Sequence, residues 1–135
     1  MWRMFIPSLH IKGASFILSQ GRMPVERYAE KDVAVVQRIS QKPNLLAIEI
    51  MKKFQMKVVF DLDDNLWAIP KYNQAKPVFE KLRVGIEACA ACSDVLTVST
   101  EPLRVAAMKY MKPFRKRRIE VIPNAVDLIC SLRRR

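Results

Sequence analysis

Four short apolar runs alternate with three stretches whose apolar residues recur at helical spacing. This alternation is what most constrains the fold. Asp32–Arg38 (DVAVVQR), Lys57–Asp61, Asp94–Ser99 and Arg118–Ile122 are rich in β-branched residues and are predicted to be buried strands. Between them lie three predicted helices, at 45–54, 77–92 and 101–111. In the first, Leu46, Ile50 and Phe54 recur every fourth residue, with Leu45 and Ile48 beside them. In the second the stripe is Val78, Leu82, Ile86 and Ala90, and in the third it is Leu103, Ala107 and Met111. Lys42-Pro43-Asn44 reads as a break. Pro77 suits a first helical turn, and Ser99-Thr100 can cap the last helix, with Glu101 complementing its dipole. Strand–helix–strand order of this kind implies right-handed crossovers and a parallel sheet. The expected fold is therefore α/β, a Rossmann-like three-layer domain with a mainly parallel sheet.

In such sheets ligands bind beyond the carboxyl ends of the strands. The polar residues just after each strand are then the ones to examine: Gln37-Arg38, Asp61 to Asn65, Ser99-Thr100-Glu101 and Asn124 to Asp127. The chain has 135 residues, half of them hydrophobic, enough for one domain with a real core. Residues 1–31 give no clear pattern, 32–128 read as the domain, and 129–135 read as a basic tail ending in a truncation. The net charge is +11, and its distribution matters more than its size. Arg104, Lys109, Lys112, Arg115, Lys116, Arg117, Arg118 and Arg133 to Arg135 face only Glu120 and Asp127 in the last third. Such a concentration attracts phosphate-bearing partners.

No apolar stretch reads as a signal peptide or a membrane span, and three cysteines, an odd number, argue against a disulfide framework. The expected location is cytoplasmic, with peripheral attachment to a membrane as a further option. Cys89-Ala90-Ala91-Cys92 closes a helix, whereas a redox CxxC follows a strand and opens one, so small buried cysteines are expected there. His10 and Cys130 add no paired spacing, and no metal site is predicted. Trp67 is expected to pack a loop onto the core.

Three segments carry a resemblance. Ser93-Asp94-Val95-Leu96-Thr97-Val98-Ser99-Thr100-Glu101-Pro102-Leu103 resembles a strand-to-helix turn of family 4-like glycosyltransferases. Glu120-Val121-Ile122-Pro123-Asn124-Ala125-Val126-Asp127 is similar to the segment that ends the N-terminal domain of those enzymes and leads to their interdomain hinge. Upstream, Val58 to Trp67 with Ile69-Pro70 resembles the strand and acidic loop of bacterial and phage-type members. The resemblance covers roughly residues 32–128. It lacks the family's N-terminal glycine-rich loop and the paired-glutamate motif of its donor-binding domain. It implies part of the first domain of a two-domain GT-B enzyme, an incomplete half of that fold. The implied reaction is hexosyl transfer from a nucleotide sugar to an acceptor hydroxyl, with no cofactor and no bound metal, and with this chain inactive alone. Implied partners are a nucleotide-sugar donor held by the second domain, a sugar or lipid-linked acceptor, and an anionic membrane surface. Acceptor-side candidates are Asp61, Asp63, Asp64, Ser99, Thr100 and Glu101, with Pro123 and Asn124 at the hinge; the catalytic base is not assigned.

Phe60 to Leu66 also resembles the first motif of haloacid-dehalogenase-type phosphatases, with Asp61 as nucleophile and Asp63 as general acid. Asn65 replaces that family's usual Thr, and no later acidic pair is found for Mg²⁺. A basic nucleic-acid or anion-binding module is the other alternative. It is disfavoured because Phe114 is the lone stacking aromatic within the basic run Lys112 to Arg118.

Overall fold

The computed structural model describes residues 10–14, 31–37, 40, 42–111 and 118–124. They form four strands and three helices in strict alternation: β1 (Val33–Gln37), α1 (Lys42–Lys53), β2 (Lys57–Leu62), α2 (Lys76–Cys92), β3 (Val95–Val98), α3 (Glu101–Tyr110) and β4 (Ile119–Val121). The strands lie in the order β1-β2-β3-β4, and every pair is parallel. This is the α/β, Rossmann-like arrangement expected from the alternation.

Register divides the sheet into two faces. Val36, Phe60, Leu96 and Ile119 lie at one level across it, and Gln37, Asp61, Thr97 and Glu120 at the next. Side chains alternate between faces along a strand, so the first row and the second point to opposite sides. From the sheet only the first parity enters the core: Val36, Val58, Phe60, Leu62, Leu96 and Val98 are buried, with Ala34, Ile119 and Val121 partly buried against them. Ile48 and Met51 from α1, Ile86, Cys89 and Ala90 from α2, and Leu103, Ala107 and Met111 from α3 pack onto it. The three described helices therefore form one layer, as consecutive right-handed crossovers between adjacent strands require.

The first helix differs from its expected form. It starts at Lys42, with Pro43 in its first turn, where a fixed φ and a missing N–H cost nothing. Its buried stripe is Ala47, Ile48 and Met51, whereas Leu46 and Phe54 are 56% and 51% exposed. The run LLAIEIM is apolar on nearly every side, so periodicity alone could not choose its inner face. The helix ends at Gln55, whose φ of 61° is left-handed. Gln55 N donates to Lys52 O and Met56 N to Met51 O, the paired bonds that close a helix at such a residue, and Met56 is buried beside them. The second helix is buried only in its later half: Ile86, Cys89 and Ala90 are inside, while Val78 is 57% exposed. The third buries Leu103, Ala107 and Met111, as its spacing predicts.

Asp94 ties the amino ends of β2 and β3 together. Its N–H donates to Val58 O and its Oδ2 accepts from Val58 N, both at 2.8 Å. Just before it, fully buried Ser93 donates from Oγ to Cys89 O at 3.0 Å and closes α2. The Ser93-Asp94 pair thus turns a helix end into a strand start.

Candidate functional site

A parallel sheet gathers the residues that follow its strands on one rim, and the hydrogen bonds show this directly. Asp61, at the end of β2, is fully buried. Thr97 of β3 donates from Oγ1 to Asp61 Oδ1 at 2.7 Å, and Gln37 of β1 donates from Nε2 to Asp61 Oδ2 at 3.0 Å. These three polar residues interrupt otherwise apolar strands at one register level, so they form a hydrogen-bonded row across the sheet. Buried polar groups need such partners, since desolvating a carboxylate without them is costly.

From this anchor the chain climbs to the surface. Asp63 is half-buried; its Oδ2 lies 3.4 Å from Gln37 Nε2, and its carbonyl accepts from Ser99 Oγ at 3.3 Å. Asp64 is exposed. Asp63 and Ser99, 36 residues apart in the chain, therefore share one rim. Ser99 is buried, and Thr100 is the N-cap of α3, its Oγ1 accepting from Leu103 N at 3.3 Å. Glu101 pairs with Arg104 one turn on, at 2.8 and 2.9 Å from Arg104 Nε. That hydrogen bond, and the guanidinium charge with it, hold the Glu101 carboxyl below its ordinary value. After β4 the ladder extends by one bond, Ile122 N to Val98 O at 2.8 Å, and Pro123 and Asn124 then emerge exposed at the same end.

Burial sorts the sequence candidates. Asp61 braces the sheet from within and Thr100 caps a helix, so Asp63, Asp64 and Asn124 carry the accessible chemistry of the rim. A nucleophilic role for Asp61 requires access to substrate, and its side chain has none in this structure. Sequence reasoning did not find the part played by Gln37 or Thr97. The available signal was their position, polar residues at matching depth in neighbouring apolar strands.

Beside the rim, residues 63–75 fold back over the helices. Asn65 Oδ1 accepts from Trp67 N and Ala68 N at 3.1 and 3.2 Å. Leu66 is buried in the core. Trp67 donates from Nε1 to Glu87 Oε1 at 2.9 Å and stacks on Tyr110 with ring centroids 5.3 Å apart and planes 12° apart. Trp67 packs the loop onto the core, as expected, and links it to both α2 and α3. Asp64, Asn65, Leu66, Ala68, Ile69, Pro70, Asn73 and Phe79 line an open recess of ≈ 220 Å³.

Cys89 is buried and Cys92 half-buried, and both are free thiols. Burial, with a smaller contribution from Cys92, pushes the Cys89 thiol up to about 11. Among the described residues no group of three or more His, Cys, Asp or Glu converges to hold a metal ion. No helix among them is long and apolar enough to cross a membrane. The basic run Lys112–Arg117, and the segment 125–135 that contains Asp127 and the tail, lie outside the described residues; Arg118 is exposed and pairs with Glu120.

Fold and rim together define a class, a parallel α/β domain with an acidic, hydrogen-bonded carboxyl edge. No family model, curated protein or solved structure matches the chain.

Proposed function

We propose that this chain is the acceptor-side domain of a two-domain glycosyltransferase that moves a sugar from a nucleotide donor to an acceptor hydroxyl. In that reaction a bond forms between the acceptor oxygen and the anomeric carbon, the bond to the diphosphate breaks, and the acceptor proton passes to a base. The observation that carries the reading is the joining of the acidic loop after β2 to the Ser99 turn after β3, on the carboxyl rim. Both belong to the segments that resemble the family. Asp63 and Asp64 are the accessible carboxylates that would accept hydrogen bonds from acceptor hydroxyls, and one of them would serve as base. Pro123 and Asn124 lead away towards a donor-binding domain. The buried state of Asp61 favours this reading over the phosphatase one.

The test is ligand-observed NMR on the 135-residue chain with a panel of neutral methyl glycosides and with UDP- and GDP-sugars. Contact with at least one glycoside, without turnover of any nucleotide sugar, is expected. Absence of contact with every sugar overturns the proposal. So does Mg²⁺-dependent hydrolysis of an aryl phosphate that disappears in Asp61→Asn.

A further inference from the structure

We infer that the recess in the β2–α2 connection is the subsite that seats one neutral sugar ring of the acceptor; this rests on the reading above. Three observations converge on it.

The first is size. At ≈ 220 Å³ the recess falls below the roughly 300–1,000 Å³ of pockets that take drug-sized ligands. It suits a single ring and is too small for a whole nucleotide sugar.

The second is chemistry. Leu66, Ile69, Pro70 and Phe79 give it an apolar floor that matches the C–H face of a pyranose. Its polar groups are of both kinds. Asp64 brings a carboxylate that accepts from hydroxyls. Asn65 and Asn73 turn their Oδ1 atoms to the backbone, at Trp67 N and Ala68 N and at Ala75 N respectively. Their Nδ2 groups are left as donors without a protein acceptor among the described residues. A hydroxyl both donates and accepts, so a polyol can use the two sets together. A fully ionised phosphate oxygen only accepts, so it can use the donors alone. That separates an acceptor sugar from the anionic donor.

The third is rigidity. The loop that carries most of the lining is anchored: Leu66 lies in the core, and its chain neighbour Trp67, outside the recess, bonds Glu87 and stacks on Tyr110. A preformed recess spares the ligand the cost of ordering a loop.

The experiment follows backbone amides of the ¹⁵N-labelled chain while methyl glycosides are added, alongside UDP and inorganic phosphate as anionic probes. The expected result is saturable shifts at Asp64 to Asn73 and Phe79 with a neutral glycoside and none there with either anion. Ile69→Trp, which fills the recess, is expected to raise the Kd at least ten-fold. Asp64→Asn keeps the shape, guards against a folding defect in the first variant, and is expected to weaken binding several-fold. Glycoside shifts confined to Ser99, Thr100 and Asn124 overturn the subsite while leaving the glycosyltransferase reading intact. So does binding that neither variant changes. Shifts at the recess with phosphate but not with glycoside overturn it as well. Loss of all glycoside contact in the ligand-observed experiment removes both proposals together.

Discussion

Gly85 sits in the middle of α2, where an ordinary helix would gain from alanine. Replacing an exposed helical glycine by alanine stabilises by about 1 kcal/mol. Here the sign is expected to reverse. A Cβ built at Gly85 would lie 1.9 Å from the carbonyl oxygen of Ser40 and 2.8 Å from its carbonyl carbon, whereas ordinary contact begins at 3.4 Å. The obstacle is backbone, which cannot swing away as a side-chain tip can. Relieving it requires α2 and the β1–α1 connection to part by more than an ångström, and overpacking of this kind costs about 1–3 kcal/mol, occasionally more. An approach of 1.9 Å to backbone puts the steric cost at the upper end of that range, so after the helix-propensity gain Gly85→Ala is expected to destabilise by about 2 kcal/mol. For a chain of this size that lowers Tm by roughly 5–10 °C. Urea unfolding followed by circular dichroism measures it, with Val84→Ala as control. Val84 is 70% exposed, and its replacement is expected to change stability by less than about 0.5 kcal/mol. A Gly85→Ala chain as stable as the parent, or more so, would refute the close approach of α2 to Ser40. The packing inferred around the end of β1 and Gln37 would fall with it.

Thr97→Val keeps the shape of the side chain and removes the 2.7 Å bond to buried Asp61, so a loss of about 1–3 kcal/mol is expected in the same unfolding assay. Gln55→Gly relieves a left-handed φ of 61° at the end of α1 and is expected to raise stability by about 0.5–1 kcal/mol; a decrease would deny the helix its closing turn. The Cys89 thiol, pushed up to about 11 from 9.0, stays protonated in the folded chain while the unfolded chain ionises first. Its contribution to stability is therefore present below pH 9 and lost as pH rises towards 11, and Cys89→Ala is expected to flatten that decline. Iodoacetamide at pH 8 is expected to spare Cys89 until denaturant is added, and rapid labelling of the native chain would contradict its burial.

The strands and α3 were legible because their signals do not compete. β-Branched runs such as VAVV and VVF mark strands, and Leu103, Ala107 and Met111 leave a single face to bury; the expected burial of β1 holds only for its inward parity, since Val33 and Val35 are 54% and 51% exposed on the face the described helices do not cover. The first helix was less legible, since apolar residues surround it and the choice of inner face falls to tertiary packing. Lys42-Pro43-Asn44 reads as a break, yet Pro43 opens the helix, because proline breaks a helix interior but fits a first turn, where its N–H has no partner to lose. At the rim, the order of segments along the chain was enough to bring Asp63 and Ser99 together, because a parallel sheet sends every strand end to the same edge. What spacing could not provide was depth. Asp61, Asp63 and Asp64 are chemically alike in sequence, and only the register with Gln37 and Thr97 decides which is interior.

That difference in depth follows from the strand. Asp61 is the last residue whose side chain lies within the sheet on the polar-row face, and pairing with Thr97 and Gln37 compensates its desolvation. Two residues on, Asp63 has the same parity but lies beyond the paired strand, which ends at Leu62. Gln37 reaches both carboxylates, so the buried one fixes the amide that in turn orients the half-buried one. Ser99 holds the backbone of Asp63 from the other side. Asp64 takes the opposite parity and faces the recess. An acid buried for support thus stands one turn of alternation from an acid at the rim and beside one that lines a cavity. Gln37→Leu tests this chain of support. Removing the amide is expected to leave the fold cooperative and to weaken glycoside binding several-fold through a less ordered Asp63. A Gln37→Leu chain that binds sugars as the parent does would show that Asp63 holds its place without Gln37.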